Sequence, residues 1–177
     1  MTERDDDGLV PAESRPRPLR IVPFEPRHLA ACAAIVGRLD LFQRYGFGEE
    51  QASRLLGVAA GEPRAVLLVA EEDGATEGDS VAGFVWFVRR GAFDRSGYLR
   101  LIAVDDRWQG RGAGQSLLAE LERRHLSEAG ILLLAEASNT AAHRFYERLG
   151  YRPVGEIPDY VKAGLSERIF YKPPPPR

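Results

Sequence analysis

Leu99-Arg-Leu-Ile-Ala-Val-Asp-Asp-Arg-Trp-Gln-Gly-Arg-Gly-Ala-Gly-Gln-Ser-Leu-Leu118 changes character half-way along. An apolar run ends at Val104, and a glycine-rich turn opens a segment with Ala113, Leu117, Leu118 and Leu121 on a helical stripe. Beyond that helix, Ile131–Ala135 is a continuous apolar run, expected to be a strand buried on both faces. Strand, helix and strand over 98–135 make a right-handed crossover, which forces the two strands to pair in parallel.

Working outward, the apolar segments Leu19–Val22, Ala65–Ala70 and Val81–Val88 read as strands that can pair antiparallel with Tyr98–Val104. Pro26 opens a helix expected to run to about Leu39, and a second helix is expected near Glu49–Ala60 after the loop Tyr45-Gly46-Phe47-Gly48. The acidic, glycine-bearing stretch Asp73–Asp79 reads as a solvated turn. Downstream, Ala142, Phe145, Tyr146 and Leu149 share one helix face, and Gly150 sits where a C-terminal cap belongs. Two closing strands are expected near Arg152–Glu156 and Glu167–Lys172. The whole is a mixed α/β (α+β) fold of about six to seven strands with helices on both faces. Residues 1–18, charged and proline-bearing, read as a flexible tail; 19–172 form one domain, and 173–177 are a proline-rich stub.

Composition narrows the function classes. A formal net charge of −2 gives no global argument for nucleic acid as a partner. No apolar run is long enough to span a bilayer, and no apolar leader precedes the domain, so no membrane is expected and the cytoplasm is the default. The lone cysteine, Cys32, sits in an Ala-rich helix and reads as a core residue; with three unclustered His, no metal site is expected.

The glycine-rich turn carries the chemistry. The first turn of a helix has unpartnered N–H groups and a partial positive charge, and Gly112 and Gly114 let backbone amides approach an anion closely. Arg111 could add a charge-assisted contact. A Walker loop is excluded, because no Gly-Lys-Ser/Thr follows. A dinucleotide fingerprint would need its third glycine where Gln115 stands, and Glu136 lies later than the acidic residue expected about 20 positions on. A diphosphate site and a merely structural turn remain the alternatives.

Gln109-x-x-Gly112-x-Gly114, with the preceding Leu101-Ile102-Ala103-Val104, resembles the cofactor signature of the GNAT (GCN5-related N-acetyltransferase) superfamily. Asn139-Thr-Ala-Ala-His-Arg-Phe-Tyr-Glu-Arg-Leu-Gly-Tyr151, about 30 residues further on, resembles that family's second signature. The resemblance is specific over about 98–151 and follows the element order of most of 19–172. It implies a splayed sheet that binds acetyl-CoA between two parallel strands. Main-chain groups of Ile102, Ala103 and Val104 would hold the pantetheine arm. The amides of Gln109, Gly110, Arg111, Gly112, Ala113, Gly114 and Gln115 would hold the diphosphate, and Asn139 would contact the pantetheine or the acceptor.

The resemblance also implies transfer of an acetyl group to a primary amine of a small molecule or peptide, by direct attack through a tetrahedral intermediate. Tyr146 is the expected proton donor to the departing sulfur, and a packing role is the alternative. The acid that many relatives carry on the first splayed strand is missing, because that strand offers Tyr98 and Arg100. Glu136 is the first candidate for the base, ahead of Asp94 and Asp159, and water relay needs no dedicated base. Phe42, Arg44, Tyr45, Arg100 and Tyr160 are candidate acceptor-binding residues; Phe145, Tyr151 and Trp86 read as packing, and Trp108 as a shield of the loop or a surface residue. A non-catalytic acyl-CoA-binding module and a nucleotide-dependent enzyme are the competing functions, and assembly as a homodimer stays open.

Overall fold

A computed structural model describes residues 18–74, 80–126 and 129–176. Most of the expected N-terminal tail, the turn over 75–79 and Arg177 lie outside the described residues. The elements run β1 (Leu19–Pro23), α1 (Leu29–Arg38), α2 (Asp40–Arg44), α3 (Glu49–Ala60), β2 (Ala65–Glu72), β3 (Val81–Ala92), β4 (Ser96–Val104), α4 (Ala113–His125), β5 (Ile131–Glu136), α5 (Thr140–Arg148), β6 (Arg152–Lys162) and β7 (Leu165–Lys172). One seven-stranded sheet has the order β1-β2-β3-β4-β5-β7-β6. Only β4 and β5 pair in parallel, as the crossover between them requires.

Helices cover both faces of the first part of the sheet, and period-two alternation shares its side chains between two cores. In β2, Leu68 and Ala70 join α4 and α5 in one core, while Leu67 and Val69 join α1 and α3 in the other. At the far edge, Glu71 accepts from Arg20, Arg27 and His28, tying β1 and the chain entering α1 to β2. Burial favours the neutral form of that carboxyl, but its Arg27 and His28 partners win and hold it below the usual carboxylate range.

Three expectations need correction. The helix from Pro26 begins as a 3₁₀ turn over Pro26–His28 and ends at Arg38, but an unexpected short helix, α2, follows once Leu39 has turned extended (φ −82°, ψ 116°). No proline separates α1 from α2, and α2 with its exit brings Phe42 and Tyr45 to the wall of a cavity. The strand at Ile131 is not buried on both faces, because Leu132 and Leu134 are half-buried and line a cavity. The last hairpin is longer than expected, with β6 reaching Lys162.

β4 and β5 separate soon after they meet. Their register is Gly97↔Ile131, Tyr98↔Leu132 and Leu99↔Leu133, and it ends there. β4 stays paired with β3 up to Val104, and β5 stays paired with β7 up to Glu136. A V-shaped gap therefore opens between Arg100–Val104 and Leu134–Glu136.

Candidate active site

Two cavities meet in that gap. The smaller, about 770 Å³, runs along the end of β4 to the start of α4. The larger, about 850 Å³, lies between α2, β4, β5 and the β6–β7 hairpin. Leu41, Phe42, Ile102, Asn139, Ala142 and Tyr146 line both, so these residues form the neck of a single bent cleft.

The smaller cavity has the character of an anion cradle. Gly110 (φ 72°) and Gly112 (φ 85°) adopt left-handed backbone, where a Cβ is strained. A Cβ on Gly114 would stand 3.3 Å from Phe145 Cζ, so glycine there lets α4 close on α5. Among the described residues the amides of Gly110, Gly112, Ala113, Gly114 and Gln115 have no backbone acceptor, whereas Gln109 N and Arg111 N are engaged by the Asp106 and Trp108 carbonyls. The expected set of seven amides thus narrows to the five without acceptors. The Gln109 side chain is likewise turned inward, with Nε2 2.7 Å from Asp106 Oδ1 and 3.4 Å from Val104 O. Arg111 lies outside the cavity wall and stacks over Trp108, its guanidinium 5.9 Å from the ring centroid. Trp108 itself is buried in the core below the loop. Arg38 and Arg148, which the sequence did not single out, line this cavity and bring positive charge beside the cradle.

Asp105 anchors the loop. It is 4% exposed and accepts from Arg38 Nη2 (2.6 Å), Arg107 Nε (2.9 Å) and Arg107 N (3.0 Å). Burial pushes its carboxyl up, but the hydrogen bonds from Arg107 and Arg38 outweigh that and hold it below the usual range. A depressed folded-state pKa means the carboxylate stabilises the fold above its unfolded value, and the contribution fades as pH falls below about 4. Asp105→Asn should therefore cost about 1–3 kcal/mol at pH 7 and less near pH 3, measured by urea unfolding at both values. An equal loss at both would show that the ionised carboxylate is not the anchor.

Along β4, the Asp105 amide bonds Ala82 O on β3. Strand alternation then turns Ala103 to β3 as well, and turns the main-chain groups of Ile102 and Val104 to the open gap. Of the three expected pantetheine contacts, Ile102 and Val104 turn their backbone to the gap, with Val104 O accepting a long hydrogen bond from Gln109 Nε2, while Ala103 contributes to the wall. Asn139 caps α5, its Oδ1 accepting from Ala142 N at 3.0 Å. The cap leaves its amide donors to the cleft.

Tyr146 reaches the neck from α5, 7% exposed and edge-on to Phe145 and Tyr151. Burial, and then the neighbouring Tyr98, push its phenol above the ordinary value, so it stays protonated at neutral pH. Phe145 is half-buried: it packs on the core and also lines the smaller cavity. Tyr151 is buried, as expected of a packing residue.

The floor of the larger cavity is acidic. Glu136 and Glu167 face each other across the β5–β7 ladder and are 5% and 3% exposed. Arg44 pairs with Glu136 (Nη2–Oε2 2.8 Å), and Ser138 Oγ donates to its Oε1 at 2.5 Å. Tyr45 Oη donates to Glu167 Oε1, also at 2.5 Å. Lys162 donates to the Arg44 carbonyl, tying the β6–β7 hairpin to α2. Phe42, Tyr45, Arg100 and Tyr160 line this cavity as expected, and Arg44 acts through Glu136. Arg100 stacks 4.7 Å above the Trp86 ring. Of the weaker base candidates, Asp94 is exposed and paired with Arg64, and Asp159 accepts from Gly164 N within the hairpin turn.

Residues 63–153 match the family profile described as the acetyltransferase (GNAT) domain. The chain belongs to the GNAT acetyltransferase family. An uncharacterized N-acetyltransferase of Methanocaldococcus jannaschii is 32% identical over 110 residues, 60% of this chain and 65% of that protein. A mycothiol acetyltransferase of Mycobacterium leprae is 32% identical over 113 residues, 60% of this chain and 36% of that protein. The chain thus spans less than two thirds of each of these relatives. The solved ribosomal-protein-S18-alanine N-acetyltransferase of Escherichia coli shares the fold, with a TM-score of 0.68 at 22% identity over 90% of this chain and 96% of that one.

Membership accounts for the splayed strands and the glycine-rich helix start. Ile102, Val104, the five free amides and Asn139 fit a long, bent, diphosphate-bearing donor such as acetyl-CoA. Among the described residues no helix is long and apolar enough to cross a membrane, and no cluster of His, Cys, Asp and Glu could hold a metal ion. The Cys32 thiol, expected in the core, is fully buried and pushed up to about 12 by that burial.

Proposed function

We propose that this GNAT domain is an N-acetyltransferase that moves an acetyl group from acetyl-CoA to a primary amine of a small molecule or peptide. The observation that carries the reading is the neck. Tyr146 stands where an anion cradle on one side meets an acid-floored cavity on the other. Acetyl-CoA supplies an activated thioester there. The free amides of 110–115 hold its diphosphate, and the open edge at Ile102 and Val104 holds its arm in the manner of an added strand. Asn139 fixes the start of α5, and thereby the place of Tyr146, whose phenol hydrogen-bonds the departing sulfur.

The acceptor enters through the larger cavity. Phe42, Tyr45 and Tyr160 give it aromatic walls, Arg100 gives one wall a positive charge, and the carboxylates below favour an ammonium. The named activities of the relatives span mycothiol acetylation and acetylation of a ribosomal-protein alanine, so both small and peptidic acceptors fit the family. A cytoplasmic setting, where a lone buried thiol stays reduced, belongs to the same reading.

The test is a thermal shift with CoA, acetyl-CoA, NAD and ATP, followed by free-thiol release over a panel of polyamines, amino acids and short peptides. CoA and acetyl-CoA are expected to raise Tm, because they bind the folded state alone. Thiol release is expected with at least one amine. Stabilisation by NAD or ATP and not by CoA would overturn the donor. CoA binding without turnover over the whole panel would favour a non-catalytic binding module.

A further inference from the structure

We propose that Glu167, and not Glu136, is the catalytic residue that takes the proton from the acceptor's ammonium. The proposal rests on the acetyltransferase reading and adds to it the group that makes the amine nucleophilic.

The two carboxylates are neighbours in register, and their surroundings divide the roles. Glu136 is committed to an ion pair: Arg44 Nη1 and Ser138 Oγ both donate to its Oε1, at 3.2 and 2.5 Å, and Arg44 Nη2 stands 2.8 Å from its Oε2. The main chain behind it is pinned as well, with His143 Nε2 3.0 Å from the Glu136 carbonyl. An ammonium entering the cavity would have to displace Arg44 and Ser138 to reach the carboxylate. Glu167 has no cation partner among the described residues. The neighbouring Arg168 points away, to His143 and Glu156. Tyr45 donates the one hydrogen bond that reaches the Glu167 carboxylate, which leaves its other oxygen free at the cavity floor.

Every element around Glu167 bears on its proton affinity. β5 brings the charge of Glu136, β6 places Ile157 opposite, α2 and its exit bring Arg44 and Tyr45, and β4 brings Tyr98. Burial is the largest influence. It and the negative Glu136 outweigh the Tyr45 hydrogen bond, so the carboxyl lies above its ordinary value. A carboxylate whose proton affinity is raised is a better acceptor for the proton of an ammonium that must be deprotonated before attack. Tyr98 lies within electrostatic reach of both Glu167 and Tyr146, which puts the two ends of the reaction in one cavity.

The protons balance without a further reactant. Glu167 takes one proton from the ammonium, directly or through one water, and the freed lone pair attacks the thioester carbonyl carbon. The N–C bond forms and the C–S bond breaks. The departing thiolate takes the Tyr146 proton. The second proton lost by the nitrogen returns to the Tyr146 phenolate, and the proton on Glu167 passes to solvent before the next turnover.

Three variants and one titration decide the matter. With the best amine of the panel, Glu167→Gln should lower kcat/KM by about 100-fold or more while CoA still raises Tm as in the wild type. It should also abolish the acid limb of the pH profile, leaving only the titration of the acceptor amine. Tyr45→Phe should move that limb to higher pH, because the hydrogen bond it removes favours the ionised carboxylate. Glu136→Gln should keep the limb. Carbon-13 NMR of the glutamate carboxyls, which needs no acceptor, should show one resonance titrating above the ordinary carboxylate range and missing in Glu167→Gln. Wild-type turnover in Glu167→Gln, loss of the limb in Glu136→Gln instead, or an ordinary titration of Glu167 would each overturn the proposal. Failure of CoA to bind the wild type would count against the acetyltransferase reading itself and is separable from all three.

Discussion

Tyr146→Phe is expected to lower kcat by about 100-fold or more while leaving CoA affinity within about threefold. The substitution removes one oxygen and little else. The ring packs against Phe145, Tyr151 and Phe170, and a phenylalanine keeps those contacts. No protein group among the described residues bonds the Tyr146 hydroxyl, so stability should change by less than about 1 kcal/mol. What is lost is the donor at the neck, where a departing thiolate would take a hydrogen bond. The phenol is raised above its ordinary value of 10, so ionisation of Tyr146 should not limit wild-type activity until strong alkali. Single-turnover rates and CoA calorimetry on both proteins check the split. A variant with normal kcat would remove Tyr146 from the chemistry and return it to packing.

How much of this was legible in the sequence depends on how local each feature is. The cradle could be read from residues 109–115 because its determinants are neighbours in the chain: Gly110 and Gly112 supply left-handed backbone, and the next residues start a helix. The parallel pairing of β4 and β5 follows from the helix between them, which leaves the chain no other way back. The run Ile131–Ala135 misled in one respect. Leu132 and Leu134 are apolar because they line a cleft, and sequence cannot tell a cleft wall from a core. The helix end at Leu39 was legible, but α2 beyond it was not, since α2 is held by the ties of Arg44 and Tyr45 to β5 and β7. Glu167 was hidden for the same reason. Ser166-Glu167-Arg168 looks like a solvated strand end, and what buries the carboxylate is Tyr45, 122 positions away.

The cradle supplies the second large effect. Gly112→Val should raise the Kd for CoA by about tenfold or more, equivalent to about 1.4 kcal/mol. Two causes act together. At φ 85° a residue with a Cβ is strained, by about 1–2 kcal/mol for an ordinary side chain and more for a β-branched one. The chain can relax only by rotating the amides of Ala113 and Gly114 away from the shared focus that an anion needs. A Cβ added at Gly112 meets nothing within 4 Å, so its first carbon does not block the fold. That open space belongs to the cavity wall, and a valine there would occupy the approach of the diphosphate. Tm without ligand should therefore fall by only a few degrees. The gain in Tm on adding CoA should nearly vanish. Calorimetric titration of CoA into both proteins separates the effects. An unchanged Kd in a folded Gly112→Val would mean that the diphosphate lies elsewhere, and would leave Arg38 and Arg148 as the groups to test next.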